Sequence, residues 1–153
     1  MTIRQATLSD IPQILTFLRE ILAFHHKGRP DLFLPAGEKY NAEELTKVLS
    51  DPSRPVLVAA EEDRLFGYAF CVLKESTAPL IARKTLYLDD LFVASFARGK
   101  GIGTLLMDEV VNLARREGCY NVTLNVWEFL ESAKAFYEAY GLRVQRTTME
   151  KIL

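Results

Sequence analysis

Three glycines and two cations crowd the heptapeptide Ala97-Arg98-Gly99-Lys100-Gly101-Ile102-Gly103, between an apolar run ending at Val93 and a long amphipathic stretch that closes at Gly118. The first turn of a helix leaves N–H groups without intrahelical partners and carries the positive end of the helix dipole. A glycine-rich entry bares the main chain there, so an anion can approach those N–H groups closely. The segment therefore predicts a strand, an anion-binding turn and a helix, with a phosphate group as the expected guest.

Spacing narrows the choice of guest. A P-loop requires Gly-x-x-x-x-Gly-Lys followed by Ser or Thr, its lysine placed after the glycines to reach the terminal phosphates. Here Lys100 precedes Gly101 and Gly103, and no glycine lies five residues before a Gly-Lys pair, which excludes a Walker-type site. The dinucleotide fingerprint Gly-x-Gly-x-x-Gly fails too, because Leu106 stands three residues after Gly103.

The rest of the chain gives no bulk reason to expect a polyanionic partner. A net charge of −1 and a pI near 6.1 argue against nucleic acid and an anionic membrane surface. No apolar run is long enough to span a bilayer, and the opening "MTIRQATLSD" lacks the basic-then-apolar order of a secretory signal, so a cytosolic protein is expected. With 153 residues, 49% of them hydrophobic, one domain over residues 1–153 with a real core is expected. Cys71 and Cys119 sit in apolar stretches without CxxC spacing or a histidine cluster, which predicts buried free thiols and no metal site.

Periodicity supplies the remaining elements. "TIRQAT" alternates like a short strand, and Ser9 or Asp10 can cap a helix carrying Pro12 in its first turn. Ile11, Ile14, Leu15, Leu18, Ile21 and Leu22 recur at helical spacing. "HHKGRPDLFLPAG" breaks that helix and is the expected acceptor-side loop, and Asn41 opens a shorter helix. "PVLVAA" and "LFGYAFCVL", joined by the polar turn "EEDR", read as an antiparallel hairpin. "TLYLDDLFV" and "NVTLNVW" flank the glycine loop and its helix, a right-handed crossover that makes them parallel neighbours. "ESAKAFYEAY" is a helix stopped by Gly141, and "RVQRTTMEKIL" is expected to be a terminal strand.

Arg98-x-x-Gly101-x-Gly103 after an apolar strand, followed downstream by Ala133-x-x-Phe136-Tyr137-x-x-x-Gly141-Leu142, resembles the GNAT N-acetyltransferase superfamily, and the order of elements matches over nearly the whole chain. The resemblance implies an α/β fold of the α+β kind, with a mixed, mostly antiparallel sheet flanked by helices and a parallel strand pair that splays apart. It implies acetyl-CoA as cofactor, with pantetheine along Leu91, Phe92 and Val93, and the diphosphate on N–H groups of Arg98, Gly99, Lys100, Gly101, Ile102, Gly103 and Thr104. Asn125, Lys134 and Tyr137 complete the implied cofactor contacts. Many members carry Asn three residues before the Ala of the Ala-x-x-Phe-Tyr segment, where this chain has Leu130.

Acetyl transfer to an amine needs a neutral nucleophile, stabilisation of the developing oxyanion and a proton for the departing thiolate. Asp89 and Asp90 are the candidate bases, Asp90 slightly preferred. On a regular strand they face opposite sides, so only one reaches the acceptor unless a bulge re-aims the other. A solvated or salt-bridged strand face fits the pair equally. Ala133, Phe136, Tyr137 and Tyr140 group on one side of a helix, as a core face would; the resemblance makes Tyr137 the acid for the thiolate and leaves Tyr140 to packing. His25 and His26 suit a capping role at the helix end, and Phe24, His25, Phe33 and Tyr40 are the expected acceptor-pocket residues. The expected acceptor is a small-molecule, peptide or protein amine. A non-catalytic acyl-CoA-binding sensor is the competing function, and a homodimer is expected from the resemblance and the apolar C-terminal segment.

Overall fold

The computed structural model describes residues Met1–Leu153. Strand β1 (Thr2–Gln5) leads through a short 3₁₀ turn into helix α1 (Ile11–Gly28), which carries Pro12 in its first turn. The Asp10 carboxylate is drawn backwards from the helix: it accepts from the Thr7 N–H at 2.7 Å and pairs with Arg4 at 2.7 Å. Helix α1 runs on through His25 and His26 before Arg29 ends it. Helix α2 (Ala42–Leu49) follows, with Asn41 accepting from the Glu44 N–H and the Glu44 carboxylate accepting from the Asn41 N–H.

Strands β2 (Val56–Glu61), β3 (Arg64–Glu75) and β4 (Lys84–Val93) form an antiparallel meander, and β5 (Asn121–Leu124) joins β4 in parallel through helix α3 (Ile102–Arg116). Sheet order is β1-β2-β3-β4-β5, antiparallel except for its last pair. Five successive residues of β2 are buried, the mark of a strand covered on both faces. Phe17 of α1 packs on Tyr68 and Phe92, whereas Leu106 of α3 lies over Gly67, the neighbour of Tyr68. Successive strand residues face opposite ways, so α1 and α3 cover opposite faces.

Helix α4 (Glu131–Tyr140) ends at Gly141, whose φ of 107° is the left-handed conformation expected there. Tyr140, partly buried, packs on the core as expected, and its hydroxyl donates to Asp108 of α3 at 2.7 Å.

Two expected strands are shorter or absent. The "NVTLNVW" strand stops at Leu124, and residues 143–153 form no strand. Alternating side chains make a strand only where a ladder forms; the tail pairs with neither free edge of the sheet and lies with Val144, Met149 and Ile152 exposed.

Candidate active site

β4 pairs with β5 only from Thr85 to Leu88, yet it continues along β3 to Val93. Beyond Leu88 its outer edge therefore has no strand partner, and the two parallel strands part. A cavity of about 120 Å³ opens there, lined by Leu88 to Leu91 of β4, Leu124 to Trp127 at the end of β5, Ile21 and His25 of α1, and Leu130, Ala133 and Tyr137 at α4.

Asp90 is paired with Phe70 of β3 and Leu88 with Cys71, so Asp89 is the extra residue of a β-bulge. That bulge puts two consecutive carboxylates on one cavity, which a regular strand cannot do. The Tyr68 hydroxyl donates to Asp90 at 2.8 Å. Burial pushes the Asp90 carboxyl up to about 6, against the Tyr68 hydrogen bond and the charge of Lys39, which pull it down. Asp89 instead pairs with Lys39 at 2.5 Å. Burial of Lys39 disfavours its charge, but the hydrogen bond and charge of Asp89 outweigh this and hold the ammonium above its ordinary range.

Tyr137 is largely enclosed, and burial together with the negative charge of Asp90 pushes its hydroxyl well above the ordinary tyrosine value, so it keeps its proton at neutral pH. Burial lowers the pKa of His25, whose ring lies 4.9 Å from that of Phe33. The adjacent His26 donates from Nδ1 to the Phe33 carbonyl at 2.8 Å and ties the loop to the helix end. Phe129 packs so closely on Gly28 that a side chain there would lie 2.2 Å from its ring. Trp127 stands edge-on to Phe33 at 5.3 Å. Burial pushes the Cys71 thiol up to about 12, which leaves no competent thiolate near the strand.

Just beyond the C-terminal end of β4, Gly99 and Gly101 hold φ values of 75° and 76°, and Gly101 is the N-cap of α3. No oxygen of the chain accepts a hydrogen bond from the N–H groups of Gly99, Lys100, Gly101, Ile102, Gly103 or Thr104. A Cβ at Gly99 or Gly101 would meet nothing within 4 Å, so the approach to these donors is open. Such an array fits a diphosphate. The Ile102 side chain is buried, so the main chain is what it offers. Gly103 faces Phe136 of α4, which a Cβ would approach to 3.3 Å; the glycine turn thus abuts the helix that carries Tyr137.

The expected cofactor residues fare unevenly. Leu91 lines the cavity, Phe92 is buried against Tyr68, and the Val93 carbonyl accepts from Arg98 Nε at 3.1 Å, so Arg98 braces the turn against the strand. The Arg98 N–H is turned to the Ser95 carbonyl, which removes it from the free donors. Asn125 reaches the cavity and donates to the Tyr87 hydroxyl at 3.2 Å. Lys134 pairs with the exposed Glu128 at 3.1 Å. Leu130 occupies the N-cap of α4 and offers no side-chain cap. Among the acceptor residues, His25 lines the cavity and Phe33 backs it. Phe24 is half exposed and outside it, because it falls on another side of α1, and Tyr40 lines a separate cleft.

Sequence reasoning missed Tyr68 and Lys39. A hydroxyl in the apolar run "LFGYAFCVL" needs a buried partner, and that was the available signal for Tyr68. Lys39 reaches Asp89 from a loop without periodicity, which gave no signal.

The fold and this site, with open main-chain amides beside a strand splay that carries two carboxylates, are those of an acyltransferase. The chain belongs to the acetyltransferase (GNAT) family, whose sequence model matches residues 16–142. It is 32% identical over 151 residues to the pig thialysine N-epsilon-acetyltransferase, covering 92% of this chain and 83% of that one. It is 28% identical to YhfO of Bacillus subtilis, named an uncharacterized N-acetyltransferase, covering 92% of this chain and 89% of the relative. The crystal structure of a tetramutant of the BH1408 protein from Bacillus halodurans superposes with a TM-score of 0.94 at 29% identity, covering both chains completely.

Proposed function

We propose that the protein is an acetyl-CoA-dependent N-acetyltransferase acting by direct attack of a primary amine, with residues 1–153 as one catalytic domain. The observation that carries this reading is the run of six free N–H groups from Gly99 to Thr104, set beside a strand splay lined by Asp89, Asp90 and Tyr137. Those amides would hold the diphosphate, while the unpaired edge of β4 from Leu91 to Val93 would receive the amide-bearing arm. Acetyl-CoA supplies an acetyl group activated as a thioester.

Asp90 takes a proton from the acceptor ammonium, directly or through water. A carboxyl near 6 is mostly ionised at neutral pH yet more basic than an ordinary aspartate. Asp89 orients the ammonium, and Tyr137, held protonated, gives its proton to the sulfur and is reprotonated by the second proton that the nitrogen loses as the amide forms. A main-chain N–H near Phe92 or Val93 receives the charge developing on the carbonyl oxygen. The relatives named for thialysine support an amine at the end of a flexible chain as acceptor.

We also propose a homodimer in the cytosol. Free Cys71 and Cys119 suit a reducing compartment, and no helix is long and apolar enough to cross a membrane.

The test is thiol release from acetyl-CoA across a panel of primary amines. Tyr137→Phe keeps the ring and its packing, so melting temperature and acetyl-CoA affinity should hold while kcat falls about a hundredfold, the lower end for general acids. The lower end is expected because a thiol with a pKa near 8.5 leaves unassisted at some rate. Cofactor binding without thiol release for any amine would point to a sensor instead.

A further inference from the structure

The ion pair between Lys39 and Asp89 is a partition. Asp89 faces the cavity at the strand splay, whereas Lys39 lines a second cleft of about 370 Å³, between α2 and the segments that flank it. Tyr40, Glu44, Lys47, Asp51 and Arg54 supply the other polar groups of that cleft. Most of them are committed. Glu44 accepts from the Asn41 N–H, Asp51 accepts from the N–H and hydroxyl of Ser53, and Lys47 pairs with Glu43.

Arg54 forms no ion pair with a carboxylate, although its charge adds to the Ser53 hydrogen bonds in lowering the pKa of Asp51. Its Nη2 donates to the Tyr40 hydroxyl at 2.7 Å, and its guanidinium lies 5.6 Å from the centre of the Tyr40 ring. The Lys39 ammonium lies at the same distance from that ring. Tyr40 in turn stacks on Phe70, the residue paired with Asp90. Two cations and two carboxylates thus border one aromatic cluster, and Arg54 alone of the cations forms no direct ion pair.

We infer that the acceptor carries a carboxylate besides its reacting amine, and that Arg54 and Lys39 bind that carboxylate while Asp89 and Asp90 take the amine. The inference rests on the amine-acceptor reading above. An incoming ammonium competes with Lys39 for Asp89. A diamine wins that contest only by leaving Lys39 unpaired beside Arg54 and adding a further positive charge. An amino acid exchanges partners instead: its ammonium replaces Lys39 on Asp89, and its carboxylate receives the displaced Lys39 and the free Arg54. The four protein charges sum to zero, so a carboxylate on the acceptor lowers by one the excess positive charge that its amines bring into a partly desolvated site. Arg54 is suited to this part because a guanidinium grips a carboxylate through two parallel N–H bonds.

The experiment compares thiol release with lysine, lysinamide and cadaverine, which share the side-chain amine and differ in the carboxylate. Wild type should show kcat/KM at least tenfold higher for lysine than for either of the others. Arg54→Gln should bring the three within about threefold by raising KM for lysine with little change in kcat, and Lys39→Gln should act in the same direction. Arg54→Lys should restore part of the preference, with melting temperature as the folding control. Lysinamide or cadaverine used as well as lysine by wild type, or a preference that survives Arg54→Gln, overturns this inference alone. Failure of all three probes while other amines release thiol overturns it too; failure of every amine sinks the acetyltransferase reading with it.

Discussion

Asp90 sits where the fold works against the charge that the proposed chemistry uses. Its carboxyl ionises near 6 in the folded chain against 3.8 for an ordinary aspartate, so between these values the native state binds a proton that the unfolded state has lost. Stability contributed by this group therefore falls as pH rises from about 4 to about 6, and stays lower above that. The two-unit difference corresponds to about 3 kcal/mol as an upper bound. Asp90→Asn keeps the Tyr68 hydrogen bond without the charge. It should be more stable than wild type at pH 8 by about 1–3 kcal/mol in urea unfolding, with the gain gone at pH 4. The same variant should lose about a hundredfold or more in kcat with a good amine, and wild-type kcat/KM should drop as pH falls through 6. Equal stability of the two proteins at pH 8 would mean that the carboxylate is not desolvated as the cleft implies.

The glycine turn proposed to hold the diphosphate belongs to the scale of elements, since its donors exist only because α3 begins where it does. Gly101 has a left-handed backbone, which Asn and Asp tolerate better than other residues and which both can cap. Gly101→Asp and Gly101→Asn therefore make a matched pair that differs in one charge. Calorimetry should find coenzyme A bound about tenfold more weakly by the Asp variant than by the Asn variant, at similar melting temperatures. Equal affinities would place the diphosphate elsewhere. Gly103 is a poor site for this test, because Phe136 stands against it. The turn was legible in the sequence because glycine spacing encodes backbone conformation directly, and α1, α2 and α4 were legible through periodicity and caps. The bulge at Asp89 was legible only as an option, since register depends on how β3 and β4 meet. Lys39 and the path of residues 143–153 were not legible, for both depend on contacts between distant segments rather than on local pattern.

At the scale of the whole molecule, β5 is an edge strand of four residues with an unpaired outer side, and the chain ends in a tail that pairs with nothing. Val144, Met149 and Ile152 are 72%, 90% and 74% exposed, more apolar surface than a tail held in water gains from showing. Arg29 pairs with Asp31 and with Glu150, so the tail is anchored by an exposed ion pair that contributes little. A second copy related by a twofold axis would supply each tail with an apolar surface and each sheet edge with a strand. Burying three such side chains is worth about 1.5–3 kcal/mol each before the cost of association. Light scattering should therefore give twice the 17.4 kDa of one chain at micromolar concentration. Val144→Asp with Ile152→Asp should return the protein to a single chain, or raise the dimer dissociation constant at least tenfold, while circular dichroism stays that of the folded chain. A wild-type mass of one chain at high micromolar concentration would rule out the dimer under those conditions, and an unchanged dimer in the double variant would move the interface away from the tail.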